Sequence, residues 1–253
     1  MSIEGTPALL LVGGMGTRLR SVLPVKPKPL ASVGNRSFLQ LLVQQLQRQG
    51  ISRVVMCTGY LAGQIEDEFG DGARLGIEIN YSKEIEPLGT AGAVKLAQSK
   101  LGRVSEFLVM NGDSFLEIDL RQLIQFHRDH GGLASMAVVG VEDASRYGTV
   151  QVNTEQKVIG FLEKAGSSRP GLVNGGIYAF DPSVFEHIPD GSSSLEKDVF
   201  PRVLSKGVFA LEHHGMFIDI GTPEDYTRAQ RLCDQLYDKA LSRPCSTSVS
   251  TKV

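Results

Sequence analysis

The chain has 253 residues, 42% hydrophobic and 21% charged, with a formal net charge of −2. That is apolar material enough for one large domain, and the charge balance lacks the basic excess a nucleic-acid partner selects. Three cysteines without CxxC spacing exclude a disulfide framework or a zinc site, and no apolar run reaches the ~18 residues of a membrane span. Met1-Ser2-Ile3-Glu4-Gly5 is not a basic stretch followed by an apolar one, so the sequence reads as cytoplasmic, with neither nucleic acid nor membrane as partner.

Taken in chain order, Ala8 to Val12 is a short continuous apolar run, as in a strand buried on both faces. Ser37 to Gln49 predicts a helix with Phe38, Leu41, Leu42 and Leu46 on one face, Ser37 and Gln40 as a capping box, and Gly50 as the stop. Strands are expected from Arg53 to Thr58, Ile77 to Tyr81 and Phe107 to Met110, with helices from Ala62 to Phe69 and Gly92 to Gln98. The second half is richer in strands: Ala134 to Val141, Gly148 to Val152, Val158 to Phe161 and Gly175 to Phe180. Val208 to His213 and Met216 to Ile218 are expected as a hairpin over His214-Gly215. A last helix is expected from Pro223 to Leu241, with Thr222 as N-cap and Glu224 and Asp225 at its positive end. The polar residues 242–253 predict a flexible tail. Strands alternating with helices indicate an α/β fold: a Rossmann-like, mainly parallel mixed sheet flanked by helices. One domain over 1–241 with two lobes, about 1–115 and 116–241, is the simplest organisation.

The chemistry concentrates just after the first strand. Gly13, Gly14 and Gly16 let backbone N–H groups approach an anion closely. The dinucleotide fingerprint GxGxxG fails at Leu19, and GxxxxGK[ST] has no match here. Arg18 and Lys28 add a planar fork and a point charge suited to phosphate, on a segment stiffened by Pro24, Pro27 and Pro29. A solvated basic loop is the alternative. Asp113 in "NGDSF" follows a strand, where a carboxylate serves equally as a magnesium ligand or as a turn residue. Asp219 in "FIDIGTPEDY" also follows a strand, and Asp225 reads as a helix-start residue.

The string GGMGTRLRSVLPVKPKPL (13–30) resembles the signature of the sugar-1-phosphate nucleotidyltransferases, G-x-G-T-R-L followed by P-K-P. The resemblance spans roughly residues 8 to 232 and implies the nucleotidyltransferase fold, without the C-terminal β-helix of many relatives. It implies that Leu11, Gly13, Gly14, Gly16, Thr17 and Arg18 hold the nucleotide, and that Lys28 contacts phosphates at the reaction centre. It makes Asp113 and Asp219 the ligands of Mg²⁺. "FLEKA" (161–165), "YGTV" (147–150) and "VNGGIY" (173–178) match sugar-pocket segments, implying that Glu163, Lys164, Gly148, Asn174 and Gly175 hold the sugar phosphate. Val12 departs from the family's usual alanine and is expected to tighten the space near the nucleoside.

"EIEPLGTAGAV" (84–94) is the stretch expected to choose the base. Gly89 and Thr90 are small enough for a flat base to lie against the backbone, and Glu84 and Glu86 precede them. A carboxylate accepts two hydrogen bonds side by side, which suits the N1–H and N2–H edge of guanine better than uracil or thymine. Exposed loop charges are the alternative reading of these glutamates.

The motifs "YSKEIEPLGTAGAV", "NGDSF", "SLEKDVFP" (194–201) and "FIDIGTPEDY" most resemble the D-glycero-α-D-manno-heptose 1-phosphate guanylyltransferases. Mannose-1-phosphate guanylyltransferases, and short uridylyltransferases acting on other sugars, share much of this. The expected reaction joins GTP, or another NTP, to a sugar 1-phosphate and releases pyrophosphate, with Mg²⁺ as cofactor. The family's short members vary in oligomeric state, so a homo-oligomer stays open. A nucleotide-sugar sensor that has lost turnover is the non-enzyme alternative; the presence of Lys28, Asp113 and Asp219 weighs against it.

Overall fold

The computed structural model describes residues 3–20, 22–23, 25–162 and 168–242. Its centre is a nine-stranded sheet among the described residues. Strand β1 (Ala8–Leu11) has on one side β4 (Arg53–Thr58), which is followed outward by β5 (Glu78–Lys83), and on the other side β6 (Phe107–Asn111). A small hairpin, β2 (Ser32–Val33) with β3 (Arg36–Ser37), lies between β1 and β4 in the chain. The four strands β5-β4-β1-β6 are mutually parallel. The chain fills one flank of β1 first and then crosses to the other, so the order reverses between β1 and β6. At such a switch point the connecting loops diverge and leave a crevice beyond the strand carboxyl ends.

The apolar pattern explains why these strands are central. Ala8, Leu9 and Leu10 of β1 and Leu108, Val109 and Met110 of β6 are all fully buried, as a sheet covered on both faces requires. Helices supply the cover. Helix α1 (Phe38–Arg48) starts where Ser37 Oγ accepts the Gln40 N–H at 3.2 Å, and Ser37 also donates to Glu68. Its apolar face carries the predicted Phe38, Leu41, Leu42 and Leu46, all buried. Helix α2 (Ala62–Phe69) has the predicted limits; α3 (Gly89–Leu96) starts three residues before the expected Gly92 and is followed by α4 (Gln98–Leu101).

Beyond β6 come β7 (Ser114–Leu116), α5 (Leu120–His130), β8 (Ala134–Val141), β9 (Thr149–Val152), β10 (Val158–Leu162) and β11 (Gly171–Phe180). Strand β11 runs antiparallel to β6, β8 and β9 and so joins the two halves of the sheet. Short helical turns lead through α6 (Phe200–Val203) to β12 (Val208–His213), β13 (Phe217–Asp219), α7 (Pro223–Arg231) and α8 (Cys233–Leu241).

Two expectations are corrected here. Strands β12 and β13 do not form a hairpin. β12 lies parallel to β8 at the sheet edge, whereas β13 pairs antiparallel with β7 in a separate ribbon. Their buried side chains belong to different cores: Val208 and Ala210 pack with the central sheet, and Ile218 packs with α1, Phe115 and α8. The single helix expected from Pro223 to Leu241 is broken at Leu232, which leaves helical geometry with φ −100° and ψ 13°. The expected tail, residues 242–253, lies outside the described residues except for Ser242.

Thr222 caps α7 as predicted: its Oγ1 accepts the Asp225 N–H at 3.3 Å and also an Arg146 N–H at 3.1 Å. Thr222→Ala removes an N-cap worth about 1 kcal/mol. A melting temperature lower by roughly 2–4 °C is expected in calorimetry.

Candidate functional site

The switch-point crevice is floored by the loop after β1. Val12 still hydrogen-bonds the Cys57 carbonyl at 3.0 Å, and the chain then leaves the sheet at Gly13 and Gly14. Gly16 takes a left-handed conformation, φ 56°, that turns the chain into a short 3₁₀ turn over Thr17–Leu19. A Cβ on Gly16 would lie 2.9 Å from the Lys28 Cβ, so glycine there also admits the lysine stem. Leu19 is buried beneath the loop, while Thr17 and Arg18 are exposed.

Lys28 returns under this loop at the start of a second 3₁₀ turn, Lys28–Leu30. Pro27 precedes it in an extended conformation, and the buried Pro29 and Leu30 anchor it. Pro27 and Pro29 thus hold the lysine stem in place, as the sequence suggested, while Pro24 lies outside the described residues. Its Nζ lies 2.6 Å from Asp113 Oδ2 and 3.9 Å from Asp219 Oδ1.

The two aspartates are 106 positions apart in the chain, and the β7–β13 ribbon brings them together. Ser114 pairs with Asp219 in its register, and the Ile220 N–H donates to the Asp113 carbonyl at 2.9 Å. Burial first, and then the Asp113 carboxylate, push the Asp219 carboxyl up to about 6, against the lowering effect of Lys28. Asp219 Oδ1 accepts the Gly221 N–H at 2.6 Å.

Two adjoining hollows share this centre. One, of about 170 Å³, is lined by Gly14, Gly16, Thr17, Arg18, Lys28 and Asp113. The other, of about 310 Å³, is lined by Gly13, Glu84, Gly89, Thr90, Cys57 and Asn111; Leu11 borders both. The structure therefore brings together every residue the sequence assigned to nucleotide and metal. Val12 is buried against Gly112 and lines the smaller hollow, the one that holds Arg18 and Lys28, rather than the side with Glu84.

Glu84 is half-buried and its carboxylate is fixed. Oε2 accepts the Leu88 N–H at 3.1 Å, while Oε1 lies against Gly13 and Gly59, where any Cβ would collide with it. Burial raises its pKa, and the Leu88 N–H partly offsets that. Burial, with the nearby Glu84, pushes the Cys57 thiol up to about 12, so Cys57 is a neutral, unreactive wall. Glu86 is exposed.

The residues assigned to the sugar are distributed differently. Glu163 and Lys164 lie outside the described residues. Gly148 is exposed at the start of β9. Asn174 spends both ends of its amide internally: Oδ1 accepts the Gly176 N–H at 2.9 Å and Nδ2 donates to the Tyr178 hydroxyl at 2.6 Å. Gly175 is buried, and a Cβ there would meet Leu116 at 2.9 Å. Tyr178 in turn donates to Glu196 at 3.0 Å, which also accepts from Thr90 at 3.1 Å and Ser194 at 2.8 Å. This chain of hydrogen bonds ties the Glu84 side of the cleft to β11. Asn111, Tyr178 and Glu196 carried no local sign in the sequence beyond their place in matching motifs.

Backbone N–H groups and strand-end carboxylates at the switch point of a parallel sheet are the arrangement with which α/β folds bind phosphorylated ligands. The chain belongs to the nucleotidyl transferase family, which matches residues 7–235. It is 40% identical over 245 residues to a probable mannose-1-phosphate guanylyltransferase 1 of Oryza sativa, covering 94% of this chain and 68% of that protein. It is 37% identical to the mannose-1-phosphate guanylyltransferase of Mycobacterium tuberculosis, covering 90% of this chain and 64% of the relative. The crystal structure of HddC from Yersinia pseudotuberculosis complexed with GMP-PN superimposes with a TM-score of 0.80 at 33% identity, over 89% of this chain and 98% of that one. The fold is shared too with a putative glucose-1-phosphate thymidylyltransferase from Bacillus anthracis, TM-score 0.81 at 24% identity. Among the described residues no helix is long and apolar enough to cross a membrane.

Proposed function

We propose that the protein joins GTP to a sugar 1-phosphate, giving a GDP-sugar and pyrophosphate. The observation that carries this is Lys28 held between Asp113 and Asp219 directly under the glycine loop. A sugar-phosphate oxygen attacks the α-phosphorus as the bond to pyrophosphate breaks. The attacking oxygen is already ionised at neutral pH, so the protein needs no general base, only positioning and charge neutralisation. Arg18 and the N–H groups of residues 13–17 hold the β- and γ-phosphates and stabilise the leaving group. Lys28 exchanges its contact with Asp113 for the α-phosphate. Gly148, Glu163, Lys164, Asn174 and Gly175 remain the residues assigned to the sugar phosphate. In this reading residues 1–241 are one cytoplasmic domain, with a nucleotide lobe over 1–115 and a sugar lobe over 116–241.

Two carboxylates that repel each other suit a hard divalent cation, and the Asp219 carboxyl is raised by its burial first and then by that repulsion, which Lys28 only partly offsets. Among the described residues no group of three or more His, Cys, Asp or Glu side chains could hold a metal. Asp113 and Asp219 would therefore hold Mg²⁺ together with substrate oxygens and water, and the ion would supply charge neutralisation.

Glu84 is the residue we assign to the guanine edge. Each carboxylate oxygen keeps a free lone pair after the Leu88 contact. Glu84→Gln puts a donor where an acceptor is needed, and hydrogen bonds to charged groups are worth about 1.5–3 kcal/mol. The GTP-to-UTP ratio of kcat/KM is expected to fall roughly 10- to 150-fold; an unchanged ratio removes Glu84 from base choice.

For the sugar, the motif resemblance supports D-glycero-α-D-manno-heptose 1-phosphate. The relatives at 40% identity support mannose 1-phosphate as the second reading. The deciding assay is pyrophosphate release with Mg²⁺, testing GTP, UTP, CTP, dTTP and ATP against both sugar phosphates. Release with GTP is the expected result, and the sugar with the higher kcat/KM names the substrate. Release only with another nucleotide discards guanine. Nucleotide binding without release on any sugar 1-phosphate would favour the sensor.

A further inference from the structure

Asn111 closes β6, two residues before Asp113, and its side chain lines the larger hollow. Its Oδ1 is buried with no hydrogen-bond partner among the described residues. Its Nδ2 sits against Gly176, whose left-handed conformation, φ 74°, leaves that space open; a Cβ there would lie 2.9 Å away. Oxygen and nitrogen of an amide are assigned by their hydrogen bonds, and as assigned the buried oxygen is a polar atom without a partner. Such an atom costs free energy unless something else satisfies it. Gln45, Thr58 and Ser193 also have an unpartnered buried oxygen, but Asn111 is the one of these that lines the hollow. Neighbouring Asn174 has both ends of its amide engaged by protein.

We propose that the Asn111 carboxamide binds a substrate hydroxyl and selects for it, an assignment that rests on the sugar-nucleotide reading of this cleft. A hydroxyl both donates and accepts, so it satisfies the amide in either orientation. Two such groups enter this cleft: the ribose hydroxyls of the nucleotide and the ring hydroxyls of the sugar phosphate. Asn111 stands between the glycine loop and β11, within reach of the boundary between them. A substrate lacking the hydroxyl leaves the amide unpaired and is discriminated against.

The test compares wild type with Asn111→Leu, which keeps the branched shape with somewhat larger atoms and removes the amide, and with Asn111→Ser, which keeps a smaller hydrogen-bonding group. Calorimetric Kd values are measured for GTP, 2′-deoxy-GTP and mannose 1-phosphate, together with KM values from pyrophosphate release. Asn111→Leu is expected to melt higher than wild type, because it removes a buried unpaired group, and to lose about tenfold for one substrate. Asn111→Ser should lose less. If the ribose is read, the preference for GTP over 2′-deoxy-GTP collapses. If the sugar ring is read, that preference stays and the sugar-phosphate KM or Kd rises. Either result supports the assignment. A well-folded Asn111→Leu with wild-type affinity for every ligand the wild type binds overturns it. Wild type that binds nucleotide and releases no pyrophosphate would instead sink the enzyme reading, and the binding arms would still decide Asn111.

Discussion

Lys28→Met is expected to lower kcat by about 10³-fold, the scale on which losing one preorganised charge at a developing transition-state anion acts. Methionine keeps the stem that packs against Gly16 while removing the ammonium. The effect should fall on kcat rather than on the KM for GTP, because in the proposed mechanism Arg18 and the loop N–H groups would still hold the β- and γ-phosphates. The loss also has a signature in stability. Lys28 holds down the Asp219 carboxyl, whose pKa burial and Asp113 have raised. Without Lys28 that pKa rises further above its unfolded value. A raised carboxyl favours the native state below the unfolded pKa and loses that contribution as pH rises through the folded one. Without metal, Lys28→Met should therefore be less stable than wild type at pH 8 and close to it near pH 4. Wild-type turnover, or a melting difference that does not depend on pH, would remove Lys28 from the centre we describe.

Asp219→Asn is expected to separate stability from activity. Asparagine keeps the shape, and its Oδ1 can still accept the Gly221 N–H, but it carries no charge beside Asp113. With its carboxyl raised from 3.8 to about 6, wild type forfeits at neutral pH a stability that the neutral side chain retains. The difference is on the order of 2–3 kcal/mol, or several degrees in melting temperature. The gain should appear in chelator at pH 8, shrink as pH falls through about 6, and vanish below about 4. Turnover should fall by about 10²-fold or more, and the magnesium concentration for half-maximal rate should rise steeply. An unchanged magnesium titration would contradict Asp219 as a ligand. A variant less stable than wild type at pH 8 would contradict the strained carboxylate pair.

Much of this arrangement is legible in the sequence, because the relevant physics is local. The apolar run Ala8 to Val12 has nowhere to go but a buried strand. Ser37 before an apolar stripe makes a helix start, and Thr222-Pro223-Glu224 makes another. The expected limits of α2 and β4 are those observed, since turn residues bound each of them. Three glycines followed by Arg18 and Lys28 among prolines point to an anion site, and the family resemblance is what sets that reading above a solvated basic loop. The chemistry of an acceptor pair next to small residues fits Glu84 and Glu86 alike, and only burial in the fold separates the half-buried Glu84 from the exposed Glu86.

What the tertiary structure decided is pairing between distant segments. No local pattern tells whether β12 turns back on β13 or lies beside β8; the distinct cores that Val208 and Ile218 fill settle it. The meeting of Asp113 with Asp219 depends on the β7–β13 ribbon, whose three-residue strands are too short to show a period. The break at Leu232 is invisible to a helical pattern that continues on both sides. That Asn111 Oδ1 is buried without a partner, with Gly176 of β11 facing its amide nitrogen, is likewise visible only in the fold. Composition and periodicity specify strands such as β1 and β4 and the face α1 buries, whereas α5 and the short β7 are not among the expected elements. Register and hydrogen-bond satisfaction across the chain are set only when those faces compete for one shared interior.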